Sequence, residues 1–195
     1  MATAPSEDED EGSLDLPERF LLHFGQLGPR KGTDRVAKAL DDALAIEPRI
    51  KMVWAGAESS RGCLDRYASS FGPRGPVQWI GAVPRSVLAG VIRLAAASVL
   101  PSRVDNLPNT VLESLSHRVP VIGSLGASID EVIEDGRNGR LVPMGDSEAL
   151  TQAMIEAWRG SAAWTAGHDF EPIGGRAFES GVAVAGLLRL SGVTS

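Results

Sequence analysis

The chain of 195 residues holds one cysteine, Cys63, so no intramolecular disulfide can form. Its three histidines make no cluster with that cysteine at zinc-ligand spacing, which removes a structural zinc site from consideration. No uninterrupted apolar run approaches the roughly 18 residues a membrane-spanning helix needs. The N-terminus lacks the basic region and apolar core of a secretory signal. A basic excess is lacking too: the net charge is −6, which argues against nucleic acid as a partner. Part of that charge is local, because "SEDEDEG", Ser6 to Gly12, carries five acids and no base. Residues 1–18 are therefore expected to form an acidic, solvated leader without a fold. A cytoplasmic location, free or peripheral at the inner membrane face, is the expectation.

What is present is a globular composition, 43% hydrophobic and 23% charged, in a length that suits one domain with tails. "RFLLHFGQL" (Arg19 to Leu27) reads as a buried strand, and "TDRVAKALDDALAI" follows with apolar residues at helical spacing and Thr33 and Asp34 as candidate caps. "IKMVWAG" is a second strand, followed by a polar helix over about Ser59 to Phe71. "VQWIGAV" is a third strand, with a helix opened by Pro84. "ASVLPS", "VPVIGS" and "GRLVP" are strands four to six. "NTVLESLSH" and "SIDEVIED" are helices four and five, and Asp146 to Gly160 closes the series as a helix capped by Asp146. The strands are short continuous apolar runs without period-2 alternation, as a parallel sheet covered on both faces requires. The predicted fold is a doubly wound, Rossmann-like α/β sheet of about six strands in one domain over residues 19–160. Residues 161–195 form a tail in which only "VAVAGLLRL" has the spacing of a short helix.

In doubly wound sheets ligands bind beyond the carboxyl ends of the strands. The loops there are "GQLGPRKG", "GAESS", "GAVP", "PSRVDNLPNT" and "GSLGAS". Gly25 and its neighbours permit a tight turn, and Lys31 stands ahead of a helix N-terminus, where orphan N–H groups and an ammonium could make an anion site; from the loop alone the favoured reading is a strand–helix turn with a solvated lysine. The loop is neither a Walker-type nor a dinucleotide fingerprint. In "DNLPNTVLE", Asn109 can cap a helix, Thr110 adds a hydroxyl at its start, and Glu113 follows within about a turn. A carboxylate at Glu113 could accept from a ribose diol, but on the D-x7-E spacing alone Glu113 reads as complementing the helix dipole and Asp105 as loop surface. His23 alternates within strand one and reads as a core histidine, not a catalytic one.

The ordered set "GQLGPRKG", "VWAG", "VQWIGAV", "PSRVDNLPNTVLESLSHRVPVIGS" and "DEVIEDGRNGRLVPMGD" resembles the C-terminal, donor-binding domain of GT-B retaining glycosyltransferases, over about Arg19 to Gly160. The family's E-x7-E signature is similar to D-x7-E here, from Asp105 to Glu113. "DG-x-x-G-x-L-V-P" is intact at Asp135 to Pro143.

The resemblance implies that Lys31 contacts a donor diphosphate and that Glu113 binds ribose hydroxyls. It places Asp105 near the transferred sugar, and Leu107, Asn109 and Thr110 at the loop and helix start that face sugar and phosphate. Gly25 and Gln26 belong to the same diphosphate loop, and Gly81 to Val83 lie beside the nucleobase. Asp105 and Lys31 are the implied catalytic groups. No cofactor or metal is implied; a nucleotide diphosphate sugar, UDP-, GDP- or ADP-linked, enters as substrate. The implied partner is an N-terminal acceptor-binding domain or subunit, without which the site is half of an active site. Two residues depart from the family pattern: Gln26 stands where Arg is common, and Asp105 is one methylene shorter than Glu. These departures keep two other readings open, a nucleotide-sugar-binding module without catalysis and an interaction protein without a ligand.

Overall fold

The computed structural model describes residues 14–68, 71, 75–104, 109–126 and 128–160. Six strands form one sheet: β1 (Leu21–Phe24), β2 (Met52–Ala55), β3 (Val77–Trp79), β4 (Ala97–Leu100), β5 (Val121–Ser124) and β6 (Gly139–Val142). Their order is β3-β2-β1-β4-β5-β6 and every pairing between them is parallel. This is the doubly wound order, whose direction of winding reverses between β1 and β4. The predicted fold class is the observed one.

Burial explains why alternation is absent from the sequence. All four residues of β1, β2, β4 and β5 are buried, while the edge strands β3 and β6 expose part of theirs. Each central strand has a layer on both faces, so both of its residue sets must be apolar. Helices α1 (Thr33–Leu44), α2 (Cys63–Ala68) and α5 (Ser147–Arg159) cover one face. Helices α3 (Arg85–Leu94) and α4 (Asn109–Ser116) cover the other. Leu21, Met52, Trp54 and Ile122 point into the first layer, and Leu22, Phe24, Val53 and Val121 into the second. Fully burying side chains of this size contributes about 2 kcal/mol each. Leu14 and Leu16, ahead of β1, pack at the margin of the second layer. The Asp15 carbonyl accepts from the Gln78 side chain at 2.8 Å, so the last residues of the expected leader belong to the domain; residues 1–13 and the whole 161–195 tail lie outside the described residues.

Three local expectations need correction. "SIDEVIED" is not a helix: Ser128 to Val132 run as turns, with Ser128 at φ 55°. Ile129, Val132 and Ile133 are buried, so the apolar spacing marked the inward face correctly. Propagation stops because the buried Asn138 accepts from the Glu134 amide (2.9 Å) and donates to the Val132 carbonyl (3.2 Å). A helix would need those backbone groups for its own ladder.

Helix α2 begins at Cys63 instead of Ser59, because residues around 58 extend the sheet edge: Leu27 and Glu58 form a parallel bridge. The Glu58 carboxylate then accepts from the amides of Gly62 (3.0 Å) and Leu64 (3.5 Å), and the Gly62 bond is the main cause of its lowered pKa. Finally, neither Thr33 nor Asp34 caps α1. The N-cap is Gly32, in the left-handed conformation at φ 77°, and the Thr33 hydroxyl is used elsewhere.

Candidate functional site

The loops after β1 and β4 meet where the sheet reverses its winding. The first is a single 3-10 turn, Pro29–Lys31, pinned from below. His23, fully buried in β1, places Nδ1 2.6 Å from the Val99 carbonyl of β4. A carbonyl only accepts, so Nδ1 carries the proton and Nε2 accepts from the Thr33 hydroxyl at 2.9 Å. The Thr33 oxygen in turn accepts from the Gly28 amide at 2.7 Å. Burial is the main cause that lowers the His23 pKa to about 4; the Lys31 charge adds to it, against the opposing bond to Val99. The imidazole is therefore a neutral structural bridge, as its place in the strand suggested.

The second tie is Arg103, from the loop after β4. Its guanidinium binds both Asp34 oxygens (2.8 and 2.6 Å) and the Pro29 carbonyl, and its amide donates to the Arg30 carbonyl at 2.9 Å. Burial raises the Asp34 pKa, but the hydrogen bond and charge of Arg103 outweigh it and the net shift is downward. Gly32 completes the junction. A Cβ there would meet the Pro101 carbonyl oxygen at 2.2 Å, so no larger residue allows the two loops to approach this closely. Nothing in the spacing of "SRVD" announces the Arg103 clamp, because its partner Asp34 lies 69 positions away.

Lys31, Gly25 and Thr110 converge above this foundation. Gly25 has φ 115°, and a Cβ on it would lie 3.3 Å from Thr110 Cγ2 and 4.0 Å from Lys31 Cε. Thr110 stands in the first turn of α4, and among the described residues its buried hydroxyl oxygen finds no hydrogen-bond partner. A buried unpaired hydroxyl costs about 1–3 kcal/mol unless something else supplies a partner. Helix α4 is itself tied to the sheet through Ser114, whose hydroxyl lies 2.8 Å from that of Ser98 in β4.

Glu113, one turn along the same face, is half-buried, and its Oε1 is 3.8 Å from Arg85 Nη2 at the start of α3. The sequence pattern did not mark Arg85. Beyond it, the exits of β2 and β3 form a shelf. The Gly56 amide donates to the Gly81 carbonyl at 2.6 Å, and the Trp79 indole, half exposed, donates to the Gly56 carbonyl at 2.9 Å. A Cβ on Gly56 would collide with the Gly25 carbonyl oxygen at 1.9 Å, so the β1 and β2 exits are also in backbone contact.

The expected site residues thus fall into three groups. Gly25, Lys31 and Thr110 are brought together, with Glu113 on the same helix face as Thr110. Gln26 and Asn109 are exposed at the rim of these elements. Asp105 and Leu107 lie outside the described residues. A continuous edge runs from Lys31 and the α4 N-terminus, past Glu113 and Arg85, to Gly81. It offers an ammonium and helix amides for an anion at one end, a carboxylate for hydroxyls in the middle, and an open shelf at the other.

The family model described as glycosyl transferases group 1 matches residues 6–163. The chain belongs to this family. Among curated relatives, an alpha-D-kanosaminyltransferase of Streptomyces kanamyceticus is 26% identical over 143 residues, which are 70% of this chain and 37% of that protein. Among solved structures, Anabaena HepE in complex with UDP and glucose superposes with a TM-score of 0.66 at 18% identity, covering 90% of this chain and 49% of that one. The C-terminal domain of a glycosyl transferase group 1 family protein from Francisella tularensis superposes with a TM-score of 0.58 at 17% identity. That match covers 73% of this chain and 85% of the solved domain. The group 1 chain has the fold of the C-terminal domain of the GT-B architecture, and it spans well under half the length of its curated relative. No helix among its described residues is long and apolar enough to cross a membrane.

Proposed function

We propose that this group 1 chain binds a nucleotide diphosphate sugar and acts as the donor side of a retaining glycosyltransferase. The observation that carries the reading is the buried Thr110 hydroxyl at the start of α4, beside Gly25 and Lys31, which has no partner among the described residues. A diphosphate oxygen is the acceptor that this hydroxyl, the neighbouring helix amides and the ammonium would share. Glu113 would take the ribose diol, whose two hydroxyls both donate to a carboxylate, and the Gly81 shelf would face the base. Transfer builds negative charge on the departing diphosphate, and donors already held in place by His23, Thr33 and Arg103 stabilise that charge without reorganising. Asp105 and Leu107 are assigned to the sugar on the family pattern, with Asp105 and Lys31 as the catalytic groups. The acceptor would come from a further N-terminal domain or subunit. The reading includes a cytoplasmic setting, with attachment at the inner membrane face as its finer form.

The test is thermal melting of the 195-residue chain with UDP-, GDP- and ADP-sugars, alongside Lys31→Ala and Glu113→Ala. One donor series is expected to raise the melting temperature, with the rise strongly reduced in both variants. No shift with any donor, or an undiminished shift in both variants, would overturn the site.

A further inference from the structure

A second concavity lies at the same edge of the sheet but over the α1/α5 face. It encloses about 220 Å³ between the first turns of α1 and α5 and the ends of β4, β5 and β6. Pro101, Val142, Pro143 and Leu150 supply an apolar wall, and Arg35 stands at its rim. It is walled off from the Lys31 site by the contact between Gly32 and Pro101. Its lining includes none of Gly25, Lys31, Thr110 and Glu113, and shares with the donor side only the supporting residues Asp34 and Pro101.

Two hydroxyls line this cavity with unmet hydrogen-bonding capacity. Ser124, the last residue of β5, is fully buried, and Ser147 opens α5; among the described residues neither Oγ finds a hydrogen-bond partner. Ser124 alternates with Gly123, so its side chain must point to the α1/α5 face while Gly123 backs onto Ile129 and Ile133. A serine at this position sacrifices core apolarity and gains no hydrogen bond from the described residues.

The charges around the cavity choose among ligands. Two helix N-termini face it, but each already has acids nearby. Asp34 lies in the first turn of α1, and Asp146 caps α5 by accepting from the Ala149 amide at 2.9 Å, with Glu148 following. An anion would meet those carboxylates. Asp34 is held by Arg103 and Lys38 by Asp42 at 2.8 Å, which leaves Arg35 as a donor and the two serines as groups that both donate and accept. This set, beside an apolar wall, fits a neutral ring bearing several hydroxyls. The volume equals about seven waters at roughly 30 Å³ each. It falls below the roughly 300 Å³ at which pockets for larger ligands begin, so it holds one ring and no more.

We propose that this cavity is a binding site for a neutral, hydroxyl-rich ring of monosaccharide size, separate from the nucleotide site. The experiment is an amide NMR titration of the full chain with D-glucose, myo-inositol and inorganic phosphate, repeated on Ser124→Ala, Arg35→Gln and Lys31→Ala. A neutral ring is expected to shift the amides of Ser124, Gly145 and Ser147, with affinity falling about fivefold in Ser124→Ala, the loss of one net hydrogen bond. Arg35→Gln, at the rim, should weaken binding in the same direction. Lys31→Ala should leave ring binding unchanged, which separates this site's failure from failure of the nucleotide reading. Four results would each overturn the proposal: shifts with phosphate alone; shifts centred on Gly25 and Thr110; unchanged affinity in Ser124→Ala; or no response to any probe, in which case the cavity holds water only.

Discussion

The loop after β1 and the start of α4 sit side by side over the winding reversal, yet they are built on opposite principles. In the first, His23, Thr33 and Gly28 form a closed relay, and Arg103 and Asp34 clamp the turn to the neighbouring loop. In the second, a buried hydroxyl has no partner among the described residues and a carboxylate stands half-exposed beside a distant arginine. The closed region stabilises the fold and holds Lys31 in place. The open region carries hydrogen-bonding capacity that the described residues do not use, and the proposed donor would meet it.

Mutations should separate the two regions sharply. The largest effect is expected from Gly32→Ala, where both the positive φ and the contact with the Pro101 carbonyl oxygen forbid a Cβ. Stability should fall by about 3 kcal/mol or more, read from the urea midpoint. A loss near zero would mean the two loops are not in contact.

His23→Leu comes next. It leaves the Val99 carbonyl and the Thr33 hydroxyl without their partner, and a cost of about 2–3 kcal/mol is expected. The native protein should also show a pH dependence that this variant lacks. The His23 pKa is near 4 when folded and near its ordinary value of 6.5 when unfolded, so the unfolded chain binds the extra proton between those limits. This contribution is fully present above about pH 6.5 and is lost as the pH falls toward 4. Its size is on the order of 3 kcal/mol. The lowered pKa of Asp34 acts in the same sense at lower pH. Denaturation midpoints for wild type and His23→Leu across pH 4–7 would show curves that converge on acidification; parallel curves would refute the bridge.

The smallest stability effect, and the sharpest contrast, belongs to Thr110→Val. Removing an unpaired buried hydroxyl should change stability by no more than about 0.5 kcal/mol in either direction. Donor affinity should nevertheless fall about tenfold, the loss of one hydrogen bond to a charged oxygen, measured by calorimetry. A clear loss of stability with unchanged donor binding would move Thr110 to the structural side of the comparison.

How much of this could be read from the residues depends on the range of the interaction. The central strands were legible because burial on both faces leaves unbroken apolar runs such as "LLHF" and "ASVL". Asp146 was legible as a cap because its acceptor function is satisfied three residues away. Helix five was misread because Ile129, Val132 and Ile133 have helical spacing, while the side chain that stops the helix, Asn138, belongs to a later turn. The same limit hid the Arg103 clamp and the Arg85 neighbour of Glu113. For the candidate site, the ordered loop motifs picked out Lys31, Thr110 and Glu113. They carried no sign of the unpaired hydroxyls at Thr110, Ser124 and Ser147, since the absence of a partner is a property of packing.

By itself the sequence determined the parallel α/β class and the family to which the chain is assigned, because each follows from local pattern and motif order. Tertiary structure alone decided which polar groups are consumed and which remain open. His23 and Asp34 are spent on partners that the chain brings from β4 and from the loop after it. The hydroxyls of Thr110 and Ser124 are buried where no described residue supplies a partner, because satisfying a hydrogen bond requires a group within about 3 Å in space, and chain position does not encode that distance.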